Sequence, residues 1–226
     1  MKYPAIKITG ALLILYSIYA GLTGPVPRLD ILNETIRNLY FHVPLWFAML
    51  FQMGVSWVFA LKYLNGYNPK FDIISSSAAI TGGMFALPGI LTGSVWANFT
   101  WGKPWVAEDP KLQGVMASAL VYSVYYLLRA LIPERQTKAR IAAVYNIFAF
   151  VMTFVFILIY PRMNQSSLHP GNGGNPAFGK YDLDSNMRLV FYPAVLGWII
   201  ISAWLCDLIS RHKKINYYLE NNETIA

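Results

Sequence analysis

Cysteine is nearly missing from this chain: Cys206 is the single one, so no disulfide framework can hold the fold. The C-x-x-C-H motif that tethers heme through thioethers is absent as well, so any heme here is bound without covalent bonds and can be released. Charge is scarce, at 13% of residues against 56% hydrophobic, where a soluble domain carries about 25% charged residues. No G-x-x-x-x-G-K-[ST] run occurs, so an ATP-driven step has to come from a partner. No A-x-A cleavage pattern follows the first apolar stretch, which therefore reads as an uncleaved helix and not as a signal peptide.

What the chain does have is long apolar runs, and its mean hydropathy is +0.41. Windows of membrane-crossing length fall at about 6–22, 44–63, 73–92, 114–132, 141–160 and 189–210. The expected fold is all-α: a polytopic bundle of six transmembrane helices in a single membrane domain, 1–226. The breaker-rich stretch 164–175, with Gly-Asn-Gly-Gly-Asn-Pro beginning at Gly171, reads as a loop.

The net charge of +7 does not call for nucleic acid, because most basic residues flank the apolar spans. With the N-terminus cytoplasmic, eleven basic residues lie inside: Lys2, Lys7, Lys62, Lys70, Arg129, Arg135, Lys138, Arg140, Arg211, Lys213 and Lys214. Seven lie outside: Arg28, Arg37, Lys103, Lys111, Arg162, Lys180 and Arg188. The positive-inside rule therefore expects both termini in the cytoplasm. His42, the tryptophan-rich stretch and His169 then face outward, and His212 faces inward.

That outer group carries the chemistry. Trp96, Trp101 and Trp105 fall within ten residues, interleaved with Gly102, Pro104 and the pair Glu108–Asp109, in an expected outer loop at about 93–112. Tryptophans at helix ends are ordinarily interfacial anchors, but this density reads as an aromatic shelf for a flat macrocycle. Two histidines can ligate a porphyrin iron from opposite faces. His42 sits just ahead of Pro44, a residue suited to a first helical turn, and His169 sits on the loop before the last span. Arg37, Lys111 and Arg188 are candidate partners for carboxylates such as the heme propionates. Asp109 can orient a histidine N–H or pair with Lys111. The bland alternative is a permease or structural subunit with an aromatic outer loop and no cofactor. The near absence of charge within the spans argues against a proton-driven carrier.

With these residues in view, the chain resembles the heme exporter protein C (CcmC) type of heme-handling proteins of bacterial cytochrome c maturation, the WWD-domain family. The family's Arg, four residues, His-Val-Pro falls on Arg37 to Pro44. Its Thr-Gly-Ser-x-Trp falls on Thr92 to Trp96, and Trp-Gly-x-x-Trp-Val on Trp101 to Val106. Asp-x-Arg-Leu corresponds to Asp109 to Leu112 with lysine at 111, Thr/Ser-Leu-His to Ser167 to His169, and Met-Arg to Met187 and Arg188. The family's further tryptophans are missing: Pro104 and the pair Ala107–Glu108 stand there, with one extra residue before Asp109. The larger cytochrome c synthases share the tryptophan loop but have more spans and more histidines.

The resemblance implies a protein of the bacterial inner membrane that binds heme b non-covalently, as cargo. It implies iron ligation by His42 and His169, and delivery to a periplasmic heme chaperone. It further implies work beside ATP-binding cassette subunits and a small single-span subunit. No nucleophile or acid–base pair marks an enzyme.

Overall fold

The computed structural model describes residues 3–28, 32–164, 167–169 and 183–223. The loop carrying Gly171 to Pro176, and the expected outer Lys180, lie outside them. Every regular element among the described residues is helical. Six helices are long and apolar enough to cross a membrane.

Helix α1 (Pro4–Thr23) begins with Pro at its first turn, where the missing N–H costs nothing. A 3₁₀ turn (Asn33–Asn38) leads directly into α2 (Leu39–Leu64). Helix α3 (Pro69–Trp101) is capped by Asn68, whose side chain accepts from the Lys70 N–H. It ends at Gly102, which takes the left-handed conformation at φ 74° that terminates helices. Helix α4 (Pro110–Leu131) has Asp109 as its N-cap, and α5 (Arg135–Phe154) has Glu134. Helix α5 then widens into a π turn (Val155–Ile159) and closes with one α turn (Tyr160–Met163). The π turn sits just before Pro161, which cannot donate to the preceding turn. Helix α6 (Ser185–Glu223) is 39 residues long. At 1.5 Å per residue it is about 58 Å, far more than the roughly 30 Å of a hydrocarbon core.

Two expectations need correcting. Pro44 does not open the second span: α2 starts five residues earlier, so Pro44 is the sixth residue of the helix and His42 is already helical. A membrane bundle tolerates this, because neighbouring helices make good the one lost backbone bond. The expected loop at 93–112 is mostly helix, since α3 meets no Pro or Gly between Gly93 and Gly102. Trp96 and Trp101 therefore ride its last turns, and only residues 102–109 connect α3 to α4.

Small residues and buried polar groups hold the helices together, as expected where lipid removes the hydrophobic drive between them. A Cβ on Gly10 would fall 2.6 Å from Ile200, and one on Gly197 2.9 Å from Ile14, so α1 and α6 pack through two glycines. In the interior, Asn146 of α5 donates to Ser56 of α2 at 2.7 Å and accepts from Tyr122 of α4 at 3.4 Å. Ser56 in turn bonds the Ser75 carbonyl of α3 at 2.8 Å. One polar node thus joins four helices, surrounded by Ala48, Met49, Met53, Ala79, Phe85 and Tyr125.

The alternation of helix directions gathers the start of α2, the end of α3, the start of α4, the end of α5 and the start of α6 at one end of the bundle. His42, the three tryptophans, Asp109 and His169 belong to that end. The opposite end collects the start of α1 and the end of α6 with Asp72, Arg129 and Lys213.

Candidate functional site

The site rests on one face of α3. Gly89, Gly93 and Trp96 follow at four- and three-residue spacing, which stacks them along one stripe of a helix. His42 of α2 lies against this stripe: a Cβ at Gly93 would fall 2.6 Å from its Cε1. Glycine at 93 is what allows the imidazole to lie so close to the α3 backbone.

The His42 ring is oriented by that backbone. Its Nδ1 is 3.0 Å from the Gly89 carbonyl and 3.2 Å from Thr92 Oγ1. A carbonyl only accepts, so Nδ1 carries the proton and Nε2 keeps its lone pair. The Thr92 hydroxyl spends its own hydrogen on the Pro88 carbonyl at 2.7 Å and can accept from His42 as well. Trp46, one turn along α2, meets the His42 ring edge-on with centroids 6.1 Å apart. Asn38 donates to the Thr92 carbonyl at 3.3 Å and ties the turn before α2 to the same part of α3.

His169 is held by a carboxylate. Its Nδ1 donates to Asp109 Oδ1 at 3.2 Å, and in the neutral ring this leaves Nε2 with a lone pair. Asp109 does much more than cap α4 through the Lys111 N–H at 2.9 Å. It also accepts from the Leu168 N–H at 2.7 Å and the Ser167 hydroxyl at 3.0 Å. Its side chain is fully buried, while that of His169 keeps 23% exposure. Burial pushes the Asp109 carboxyl up, but the bonds from His169, Leu168 and Ser167 outweigh it and hold it far below the ordinary carboxylate range. Asp109 is therefore a charged clamp that fixes segment 167–169 to the start of α4.

Trp101 meets the His169 ring edge-on and Trp96 lies tilted to it, so the indoles do not form a flat shelf. Trp101 meets it at 4.8 Å and 74°, Trp96 lies at 6.2 Å and 38°, and the two indoles contact each other at 5.1 Å and 77°. Trp105 lies in the 102–109 connection, half-buried, and takes no part in these ring pairings among the described residues. His42 lies within electrostatic range of His169 and Lys111, so the two imidazoles share one locality.

The expected propionate partners have different settings. Arg37 is largely committed: its guanidinium donates to the Gly21 and Gly24 carbonyls at 2.9 and 2.7 Å and to Glu34 at 2.7 Å. It thereby ties off the end of α1. Lys111 lies in the first turn of α4, half-buried. Arg188 lies in the first turn of α6, its Nε donating to the Leu183 carbonyl at 3.1 Å.

Reasoning from sequence missed Trp46 and Gly89, and gave Thr92 and Ser167, known only as motif positions, no role in the site. The four-residue spacings His42–Trp46 and Gly89–Gly93 were the available signals. Nothing in the sequence announced the Gly89 carbonyl, a backbone acceptor.

The chain is similar to the heme exporter protein C of Bradyrhizobium diazoefficiens, at 30% identity over 141 residues, covering 62% of this chain and 52% of the relative. It is similar to a putative cytochrome c biosynthesis ccmC-like mitochondrial protein of Marchantia polymorpha, at 31% over 91 residues, covering 40% of the chain and 39% of the relative. A cytochrome c biogenesis protein CcsA of Arabidopsis thaliana matches at 26% over 110 residues, 48% of the chain and 32% of the relative. The chain thus spans about half or less of the length of these curated relatives. The model of the CcmC family, heme exporter protein C, matches residues 1–223, and the chain belongs to that family.

Proposed function

We propose that this protein binds heme at the end of the bundle that holds His42 and His169, and hands it on in c-type cytochrome biogenesis. One observation carries the reading. Each imidazole spends Nδ1 on a fixed oxygen, the Gly89 carbonyl or the Asp109 carboxylate, and so keeps Nε2 available as an iron ligand. A hydrogen bond of this kind on the far nitrogen is the usual support of a metal-bound histidine.

In this reading heme b is cargo, bound without covalent bonds. His42 and His169 supply the axial nitrogens, and Trp96 and Trp101 wall the pocket around His169. Trp105 shields the macrocycle from the 102–109 connection. Lys111 and Arg188 are the principal cations for the propionates, with the remaining guanidinium donors of Arg37 as a third. The site faces the periplasm, with both termini in the cytoplasm of a bacterial inner-membrane protein. The acceptor is a periplasmic heme chaperone, and ATP-binding cassette subunits and a small single-span subunit work beside the protein.

The test is the ultraviolet–visible spectrum of detergent-purified protein with added hemin, wild type beside His42→Ala and His169→Ala. The expected result is a six-coordinate, bis-histidine Soret band that changes in each variant. Wild-type spectra from both variants, or no Soret band from the wild type, would sink the proposal.

A further inference from the structure

The end of the bundle opposite the histidines holds a second concavity, of about 510 Å3, enclosed by the end of α2, the first turns of α3 and α5, the last turn of α4 and the projecting part of α6. Asp72 and Arg129 form a two-pronged pair in its wall, at 2.7 and 2.9 Å. Beside them Lys213 reaches in from α6 and donates to Ser76 Oγ at 2.8 Å. Ser76 is buried, and Lys213 lies within electrostatic range of the Asp72–Arg129 pair.

The charges in this wall do not balance locally. Asp72 is engaged by Arg129, and Glu220 pairs with Arg135. Glu134 accepts from the N–H groups of Gln136 and Thr137 as the cap of α5. Among the described residues no carboxylate lies within ion-pair distance of Lys213 or Lys138. An ammonium has three donors, and a hydroxyl satisfies one of them without supplying a countercharge. A half-buried cation left in that state favours an anion from outside. Lys138 stands in the first turn of α5, where the helix dipole adds to the attraction.

The level of the cavity narrows the class of anion. It lies where the apolar spans of α2 and α4 end, which is the depth of lipid headgroups. Tyr63, Tyr67 and Tyr217 line it, as aromatic residues do at that boundary. Basic residues at this depth attract phosphate-bearing headgroups.

We propose that this cavity binds a phosphate-bearing anion, held by Lys213 and Lys138 beside the Asp72–Arg129 pair. The phosphate belongs either to a phospholipid headgroup or to a soluble phosphate, and one experiment separates the two. Full-length protein in a neutral detergent is mixed with dioleoyl phosphatidylglycerol, with dioleoyl phosphatidylcholine, or with inorganic phosphate. Lipid retention is read by native mass spectrometry, and protection by thermal unfolding. Wild type is compared with Lys213→Met, Lys138→Gln and Lys62→Gln, the last an exposed cation at the same end that does not line the cavity.

One retained phosphatidylglycerol, weakened about tenfold in Lys213→Met and unchanged in Lys62→Gln, is the expected signature of a lipid headgroup. Protection by inorganic phosphate alone, lost in Lys213→Met, assigns the site to a soluble phosphate. Lys138→Gln changes a partly exposed side chain and keeps the test decisive if Lys213→Met misfolds. Equal weakening by Lys62→Gln and the cavity variants means general surface attraction and overturns the proposal. So does the absence of both retention and protection.

Discussion

Replacing Asp109 by Asn separates two tasks that one carboxylate performs. Asn is as good an N-cap as Asp, so α4 keeps its start. The clamp on segment 167–169 does not survive. If the amide oxygen stays at the Oδ1 position to cap Lys111, the NH2 group replaces Oδ2 and faces the Leu168 N–H, now 2.7 Å from a carboxylate oxygen. If the amide flips, the cap and His169 Nδ1 face the NH2 group. Either way a donor meets a donor, and bonds worth about 1.5–3 kcal/mol each to a charged acceptor are lost. Loss of such support for a ligating histidine typically weakens metal binding about 10- to 100-fold. We expect that loss in a hemin titration followed at the Soret band, with helicity by circular dichroism retained. Asp109→Ala should add about 1 kcal/mol of destabilisation for the missing cap. Acidity gives a second reading. The folded Asp109 carboxyl is held below its unfolded value of about 3.9, so its contribution is complete above that value and is lost as pH falls through the lower, folded one. The contribution of the Asp109 carboxylate itself should therefore be constant above about pH 5 and weaken only below about 4. Asp109→Asn protein with wild-type hemin affinity and spectrum would refute the clamp.

Three further outcomes follow from the packing. Gly93→Ala puts a methyl 2.6 Å from His42 Cε1, so the ring has to swing off the Gly89 carbonyl; hemin affinity should fall about tenfold while helicity by circular dichroism is kept, since Ala suits a helix better than Gly. Arg37→Gln removes the groups that tie off the Gly21 and Gly24 carbonyls and should cost about 1–3 kcal/mol in thermal unfolding; a change confined to hemin affinity, with unfolding untouched, would make Arg37 a heme contact alone. Asn146→Leu breaks the node joining four helices and should destabilise the bundle by about 0.6–1.7 kcal/mol in a detergent unfolding assay, with the Soret spectrum of the bound state preserved.

The six spans were legible because membrane length and apolarity are properties of single segments. Their ends were less so. Nothing local says that α3 continues nine residues past the hydrophobic window to Trp101, or that α2 begins before His42. Those extensions depend on neighbouring helices and on the 3₁₀ turn that feeds α2. Asp109 was recognisable as a possible partner for a histidine N–H, because a carboxylate is a common acceptor for that group; that it also caps α4 was not read from the sequence. Its hold on Ser167 and Leu168 was not legible, since it spans 58 or more residues of sequence. Arg37 shows the opposite limit: an arginine five residues from a histidine invites a ligand role, yet its Nη1 donors are spent on the end of α1.

The two imidazoles are anchored in different ways, and the difference bears on release. His42 is fastened to a backbone carbonyl inside a long helix, with Gly93 beneath it and Trp46 against its edge. To move, it has to displace parts of α2 and α3 that also carry the core. His169 hangs on a short segment whose described bonds to the bundle converge on one carboxylate. Each of those bonds can break without disturbing helix packing, because Asp109 keeps its cap bonds to α4. A cargo held by two such ligands leaves most easily from the His169 side. Under the proposed function, the rigid ligand would fix where heme sits, and the clamped one would set how tightly it is kept.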